Sequence, residues 1–182
     1  FYKKLLEKKN KIFNKVDPIY LLKSIKNKTE IKNMKKIHAI DGAALTKFLI
    51  WLKTNFKKIK ITEISAQKKL ENFRKMNPSY KYPSFSTISG TGPNGAIIHY
   101  KVSSSTNRIL KKGDIYLVDS GGQYSYGTTD VTRTISLNNK SNFIKEVYTR
   151  VLKGHIAVSN FLIKKNSTGS EVDRNARKFL KK

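Results

Sequence analysis

The apolar residues of this chain change their spacing at Pro83, and that change limits the possible architectures more than any other feature. Upstream, Ile31, Met34, Ile37, Ala44, Leu45, Phe48, Leu49 and Leu52 recur near the 3.6-residue period of an amphipathic helix. Asn27 precedes this run with Glu30 three residues on, a pattern in which side chain and backbone cap each other at a helix start. A second helix is expected from Thr62-Glu63 through Ile64, Leu70 and Phe73, stopped by Asn77-Pro78. Further upstream a basic stretch from Tyr2 to Phe13 reads as a helix closed by Asp17-Pro18, so residues 1–18 are expected to end an upstream domain or linker. Tyr20 to Ile25 reads as a short apolar connection into residues 19–182.

Downstream of Pro83 the apolar runs are short and broken by glycine. Phe85 to Ser89 and Gly95 to His99 are expected as strands around the turn Gly90-Thr-Gly-Pro-Asn-Gly95. Lys112-Gly113-Asp114 leads into a strand from Ile115 to Asp119, Ser120-Gly121-Gly122 bends the chain before Gln123-Tyr124, and a further strand runs from Thr128 to Ile135. Gly121, Gly122 and Gly127 read as turn positions that require a positive φ. Helical spacing returns from Asn142 to Leu162, and Ser167-Thr-Gly-Ser170 opens a last helix expected to run to Lys182. Helices, then strands, then helices predict an α+β fold built on an antiparallel sheet.

At 182 residues with 38% hydrophobic side chains, the chain can bury one sizeable core. No apolar run approaches the roughly 18 residues of a membrane span, and no hydrophobic leader follows Phe1-Tyr2-Lys3-Lys4. A first residue other than Met leads to the expectation that the sequence starts inside a longer protein. The absence of cysteine excludes disulfides and thiolate metal sites. A net charge of +26 invites a nucleic-acid partner, yet only six of the 38 basic residues are Arg and the lysines are spread along the chain. A nucleic-acid site concentrates Arg and aromatics in one element. The expectation is therefore a cytoplasmic protein with neither a specific nucleic-acid partner nor a membrane.

Chemistry concentrates in Val118-Asp-Ser-Gly-Gly-Gln-Tyr-Ser-Tyr-Gly-Thr-Thr-Asp-Val-Thr-Arg-Thr134. Asp119 and Asp130 fall on flanking strands, where Asp is depleted. In an antiparallel pair, residues on one face lie about 4.5–5.5 Å apart at Cβ. Two carboxylates so placed repel each other unless a cation neutralises them, and a hard divalent metal suits such oxygen ligands. The alternative, that both merely accept turn hydrogen bonds, stands equal on physics alone. Thr132 and Thr134 follow at alternate positions and could stand behind the ligands as hydroxyl donors. On bare sequence His99 reads as a packed, hydrogen-bonded residue, and His38 and His155 read as partly buried structural histidines on helices.

The whole string resembles the metal motif of the aminopeptidase P members of peptidase family M24, the creatinase/methionine aminopeptidase or pita-bread superfamily. Ile37-His-Ala-Ile-Asp-Gly-Ala-Ala44, Phe85-Ser-Thr-Ile-Ser-Gly90, Asn94-Gly-Ala-Ile-Ile-His-Tyr100 and Val151-Leu-Lys-Gly-His-Ile-Ala157 are similar to segments of that family in the same order. The resemblance implies that residues 19–182 are the first half of a pita-bread domain. It implies that Asp119 and Asp130 are ligands of a two-metal site, usually manganese, and that His99 is catalytic and, with Tyr100, contacts substrate. It also implies release of the N-terminal residue from peptides with Pro in second position, by a full-length protein expected as a homodimer.

A His and two Glu that the family's site also needs are not found in this sequence, and Glu146, Glu171 and Asp173 fall on helices in another context. This polypeptide alone is accordingly expected to be inactive. Three other readings remain: a prolidase-like dipeptidase, a non-catalytic pita-bread binding module, and a truncated pseudoenzyme.

Overall fold

The computed structural model describes residues 15–180 together with Lys4. The expected Tyr2–Phe13 helix thus lies, but for Lys4, outside the described residues. Five α-helices are described: α1 (Pro18–Ser24), α2 (Lys28–Asn55), α3 (Glu63–Lys75), α4 (Asn142–Ser159) and α5 (Gly169–Arg177). The strands are β1 (Tyr80–Pro83), β2 (Ile88–Thr91), β3 (Ile115–Ser120), β4 (Gly122–Tyr124), β5 (Gly127–Thr128) and β6 (Val131–Ser136). They form two antiparallel three-stranded sheets, ordered β2-β3-β6 and β1-β4-β5. No described helix is long and apolar enough to cross a membrane.

The helix starts follow local chemistry. Asn27 accepts from Glu30 N and the Glu30 carboxylate accepts from Asn27 N, closing the expected capping box of α2. Thr62 and Ser65 do the same for α3. The connection expected from Tyr20 to Ile25 is instead the short helix α1. Pro18 occupies its first turn, where its missing N–H costs nothing, and Asp17 accepts from Ile19 N at 2.9 Å. Pro18 therefore starts a helix rather than only ending one. The last helix stops at Arg177, short of the expected Lys182.

The strands depart further from expectation. β2 begins at Ile88, three residues past Phe85, and β1 was not foreseen because Pro83 obscured it. Gly95 to His99 forms no strand. Gly92–Ala96 is a turn of 3₁₀ helix, and a tight turn at Ile98 and His99 follows it. Positive φ belongs to Gly92 and Gly113, not to Gly121, Gly122 or Gly127. Gly121 is required for space instead, since a Cβ there would stand 1.9 Å from the Thr129 carbonyl oxygen.

The core lies between the α2–α3 pair and one face of β2-β3-β6. Leu45, Phe48 and Leu52 of α2 and Ala66 and Leu70 of α3 pack with Ile61, Leu110 and Leu137 against Tyr116 and Val118 of β3. Because side chains alternate along a strand, Tyr116, Val118 and Ser120 face this core while Ile115, Leu117 and Asp119 face away from it. Fully burying Phe48 and Leu52 contributes about 1.5–3 kcal/mol each. Outside this core α4 packs on α5, where the bare Cα of Gly154 allows the backbone of Ala176 to approach. The apolar side chains of α4 (Phe143, Val147, Val151 and Ile156 among them) remain substantially exposed.

Among the described residues one ion pair is sealed from solvent. Arg74 of α3 donates from Nε to Asp41 Oδ1 at 2.6 Å and from Nη2 to Asp41 Oδ2 at 3.0 Å, each side chain 2% exposed. The same Nη2 donates to Ser120 Oγ at 3.0 Å, and the Tyr124 hydroxyl donates to Asp41 Oδ1 at 2.6 Å. Arg74→Met retains the bulk and removes the charge, leaving Asp41 buried without its cation. It is expected to cost about 3–5 kcal/mol in denaturant unfolding, and the double replacement Arg74→Met/Asp41→Leu is expected to recover most of that loss.

Burial pushes the tyrosine hydroxyls up: that of Tyr80 from 10.0 to about 12, and those of Tyr100, Tyr116 and Tyr124 in the same direction. In Tyr124 the hydrogen bond to Asp41 reinforces the effect of burial. The folded state therefore holds these protons more tightly than the unfolded chain does. Its stability is full below pH 10 and is lost as pH rises from there through about 12, the value for Tyr80. Absorbance at the phenolate band is expected to rise together with loss of the folded circular dichroism in that window.

Candidate metal centre

β3, β4, β5 and β6 form one long hairpin that passes from the first sheet into the second. The register holds across the join: Ser120 pairs with Val131, Gln123 with Thr128, and Gly122 exchanges bonds with Thr129. Gly121 therefore stands opposite Asp130. The long strand expected from Thr128 to Ile135 is broken here, with Thr129 and Asp130 between β5 and β6. Thr129 N donates to Gly122 O at 2.9 Å and Gly122 N donates to Thr129 Oγ1 at 2.9 Å, while Ser84 Oγ donates to Thr129 O at 2.9 Å.

This register corrects the expected juxtaposition of the two carboxylates. Asp119 lies directly opposite Thr132 on one side and Ile88 on the other. Asp130 is its diagonal neighbour, and diagonal positions in a regular pair lie about 7–8 Å apart at Cα. The residue directly facing Asp130 is Gly121, which has no side chain to intrude between the two aspartates.

The burial of the pair is unequal. Asp130 is exposed, whereas Asp119 is partly buried, and its Oδ1 is fully enclosed with no hydrogen-bond partner. An enclosed carboxylate oxygen without a donor is costly, because water has been removed and nothing replaces it. A divalent cation removes that cost directly, so this donor set fits a hard, oxygen-preferring metal. Among the described residues no three His, Cys, Asp or Glu side chains gather closely enough to hold a metal unaided.

The other expected site residues are placed as follows. His99 is exposed on a turn with φ 54°, a conformation rarely adopted outside glycine. Tyr100, expected at the substrate, turns inward. It is 6% exposed and its hydroxyl donates to Glu63 Oε2 at 3.0 Å, so that hydroxyl is engaged within the chain. Thr132 shares the open face with Asp119, and Thr134 lies one pair further along beside Leu117. Among the described residues neither hydroxyl bonds to an aspartate.

His38 and His155, expected as partly buried, are both exposed. His38 Nδ1 meets Met34 O at 2.9 Å, and His155 lines the hollow between α4 and the open face of β6. Helical geometry carries both rings outward. Glu146 and Asp173 pair with Arg150 and Arg177 one turn on, and Glu171 caps α5.

Sequence reasoning missed three buried charged residues: Asp41, Glu63 and Arg74. The signal was available. Asp41 interrupts the stripe Ile37, Ala44, Leu45, Phe48, and Glu63 and Arg74 share the stripe of Ala66 and Leu70. A charge at a core position of an amphipathic helix marks a buried polar network.

A carboxylate pair along a strand hairpin, one oxygen lacking any donor, is a donor set of the kind that suits a hard divalent metal. The description of metallopeptidase family M24 matches residues 32–182, and the chain belongs to that family. It is similar to the Xaa-Pro aminopeptidase of Drosophila melanogaster, 42% identical over 181 residues that make up 99% of this chain and 30% of that protein.

Among solved structures it is similar to an X-prolyl aminopeptidase from Caenorhabditis elegans, described as a cytosolic enzyme with a di-nuclear active site. The TM-score is 0.85 at 35% identity, covering 91% of this chain and 27% of that one. A Xaa-Pro dipeptidase from Bacillus anthracis superposes with a TM-score of 0.76 at 30% identity, over 89% of this chain and 43% of that one. The α+β architecture, helices on antiparallel sheets, is that of the first half of the pita-bread fold of these neighbours. The chain spans less than a third of the length of the curated relatives it matches first.

Gly121→Ala tests how the two aspartates are held. The new methyl would collide with the Thr129 carbonyl and with Ser84 Oγ, pushing the Asp130 strand away from Asp119. The expected result is a loss of about 1–3 kcal/mol in thermal unfolding, and, in a protein continued through the rest of the domain, weaker binding of an added divalent metal in calorimetry. Gly113→Ala is expected to leave metal binding unchanged.

Proposed function

We propose that this chain is the front half, residues 19–182, of the catalytic domain of a Xaa-Pro aminopeptidase, with residues 1–18 ending an upstream domain or linker. The observation that carries the reading is the enclosed, donorless Oδ1 of Asp119 on the open face of β3. A charge left unpaired in this way is what a metal ligand on a strand requires. The similarity to aminopeptidases over nearly the whole chain supports the substrate class.

In this reading Asp119 and Asp130 hold two divalent ions together with ligands from outside this chain. Divalent ions held there would supply Lewis acidity for the scissile carbonyl and would lower the pKa of a bound water toward neutral. His99, exposed on its turn, donates a hydrogen bond to the carbonyl oxygen as it gains charge. Tyr100 supports His99 from beneath, and Thr132 and Thr134 line the open face behind the ligands. The substrate is a peptide with Pro in second position, from which the first residue is released. Manganese as the metal, a homodimeric assembly and cytoplasmic residence belong to the same proposal, and the cytosolic description of the C. elegans neighbour supports the last of these.

A dipeptidase is the second reading, favoured by the likeness to the B. anthracis enzyme. The test uses a protein that continues this chain through the rest of the domain, loaded with manganese. Hydrolysis of Xaa-Pro-Xaa tripeptides and longer peptides is expected, with kcat/KM at least about tenfold above that for Xaa-Pro dipeptides. The reverse order would establish the dipeptidase. Asp119→Asn keeps the shape and removes the charge, and is expected to reduce kcat by about a thousandfold or more with loss of bound metal. Full activity in that variant would sink the reading.

A further inference from the structure

Glu63, the first residue of α3, is fully buried and, among the described residues, has no cationic partner. Four groups donate to its carboxylate. Oε1 accepts from Thr91 N at 2.8 Å and Asn94 Nδ2 at 3.0 Å, and Oε2 accepts from Tyr100 Oη at 3.0 Å and Arg108 N at 3.0 Å. Asn94 Nδ2 also reaches Oε2 at 3.1 Å. These four residues belong to one segment, residues 91–108, which runs on from the last residue of β2, and are spread over its whole length. Its two ends, at Thr91 and Arg108, and two interior points, at Asn94 and Tyr100, converge on one side chain.

His99 sits between the interior points, immediately before Tyr100. Its φ of 54° is unfavourable for a residue with a Cβ, and such a conformation persists only where surrounding contacts over-determine it. The Glu63 carboxylate holds Asn94 and Tyr100 on either side of His99, and Tyr100 N donates to Ile97 O at 3.2 Å across the turn.

Every group facing it is a donor, so the site demands four acceptances and no donation. Only an ionised carboxylate satisfies that demand, because an amide in its place would turn one N–H against another. The main chain of Glu63 is fixed as well: Ser89 Oγ donates to its carbonyl at 2.9 Å and its N–H donates to Arg108 O at 3.0 Å.

We propose that Glu63 is a positioning residue for the reaction, its carboxylate setting the place and backbone conformation of His99 through Tyr100 and Asn94. The inference rests on the role given to His99 under Proposed function, and the experiment separates the two. In the protein continued through the whole domain and loaded with manganese, Glu63→Gln, His99→Ala and their combination are compared by kcat, KM and metal content.

Glu63→Gln is expected to lower kcat by about 10- to 100-fold, as a misplaced contact does, with metal content and KM little changed. In the His99→Ala background the same change is expected to have less than about a twofold effect, since the group it places is gone. Losses that multiply in the double variant, or an unaltered kcat in Glu63→Gln, overturn the inference while leaving the role of His99 intact. Full activity in His99→Ala overturns that role itself, and this inference with it. If Glu63→Gln does not fold, Tyr100→Phe removes a single donor and leaves the charge in place. A smaller loss of kcat that disappears in the His99→Ala background supports the inference, and a multiplicative loss overturns it.

Discussion

The interaction on which the rest of the structure depends is the enclosed pair of Asp41 and Arg74. It joins α2 to α3, and through Ser120 and Tyr124 it joins both helices to the point where the long hairpin leaves one sheet for the other. Apolar packing fixes that the helices lie on the sheet but specifies direction poorly, because it depends on area. A guanidinium fork is directional: Nε and Nη2 meet the two oxygens of one carboxylate and leave Nη2 a bond for Ser120. Since Ser120 follows Asp119, the inward face of β3 is tied down at the residue next to the one whose carboxylate faces outward.

α3 carries this pair near one end and the Glu63 cluster at the other. The acid at its first residue and the arginine in its last turn both complement the helix dipole. Eleven helical steps, from Glu63 to Arg74, separate them by about 16 Å. The helix therefore acts as a spacer between two polar anchors, one holding the turn of His99 and the other the hairpin of Asp119 and Asp130. The anchors balance charge differently. Asp41 meets a cation, whereas Glu63 meets four neutral donors drawn from a single segment, so its charge orders chain that would otherwise be irregular. In both cases a buried charge ties together elements that lie far apart in the sequence.

Legibility in the sequence followed the range of the forces involved. α2, α3 and α4 were readable because cap and periodicity act over a few residues, as in the Asn27–Glu30 box and the stripe from Ile37 to Leu52. β1 was not, because Tyr80–Pro83 is a strand only by virtue of its partner β4, and a Pro within four residues gives the opposite local signal. Gly95–His99 reads as a short apolar strand, yet it turns tightly between Asn94 and Tyr100, both bonded to a side chain more than thirty residues away, on α3. Asp119 and Asp130 were found as a pair, but their diagonal relation required the register. That register is set where Gly121 and Thr129 share space, a contact composition cannot reveal. Asp41, Glu63 and Arg74 were visible as charges on core stripes, but their partners lie on other elements.

β3 shows how a short strand serves packing and chemistry together. Its alternation sends Tyr116, Val118 and Ser120 into the core and the anchoring network, and Ile115, Leu117 and Asp119 to the opposite face. A strand in the middle of its sheet, bonded on both sides, has little freedom to shift. Moving its register by one residue would bring Asp119 into the apolar core and expose Val118. The inward side chains thus hold Asp119 in place without touching it. Its enclosed oxygen, without a donor, is a local destabilisation that this rigidity makes tolerable. A flexible loop carrying the same carboxylate would relax until water reached it, and only a fixed backbone can keep that oxygen enclosed without a donor.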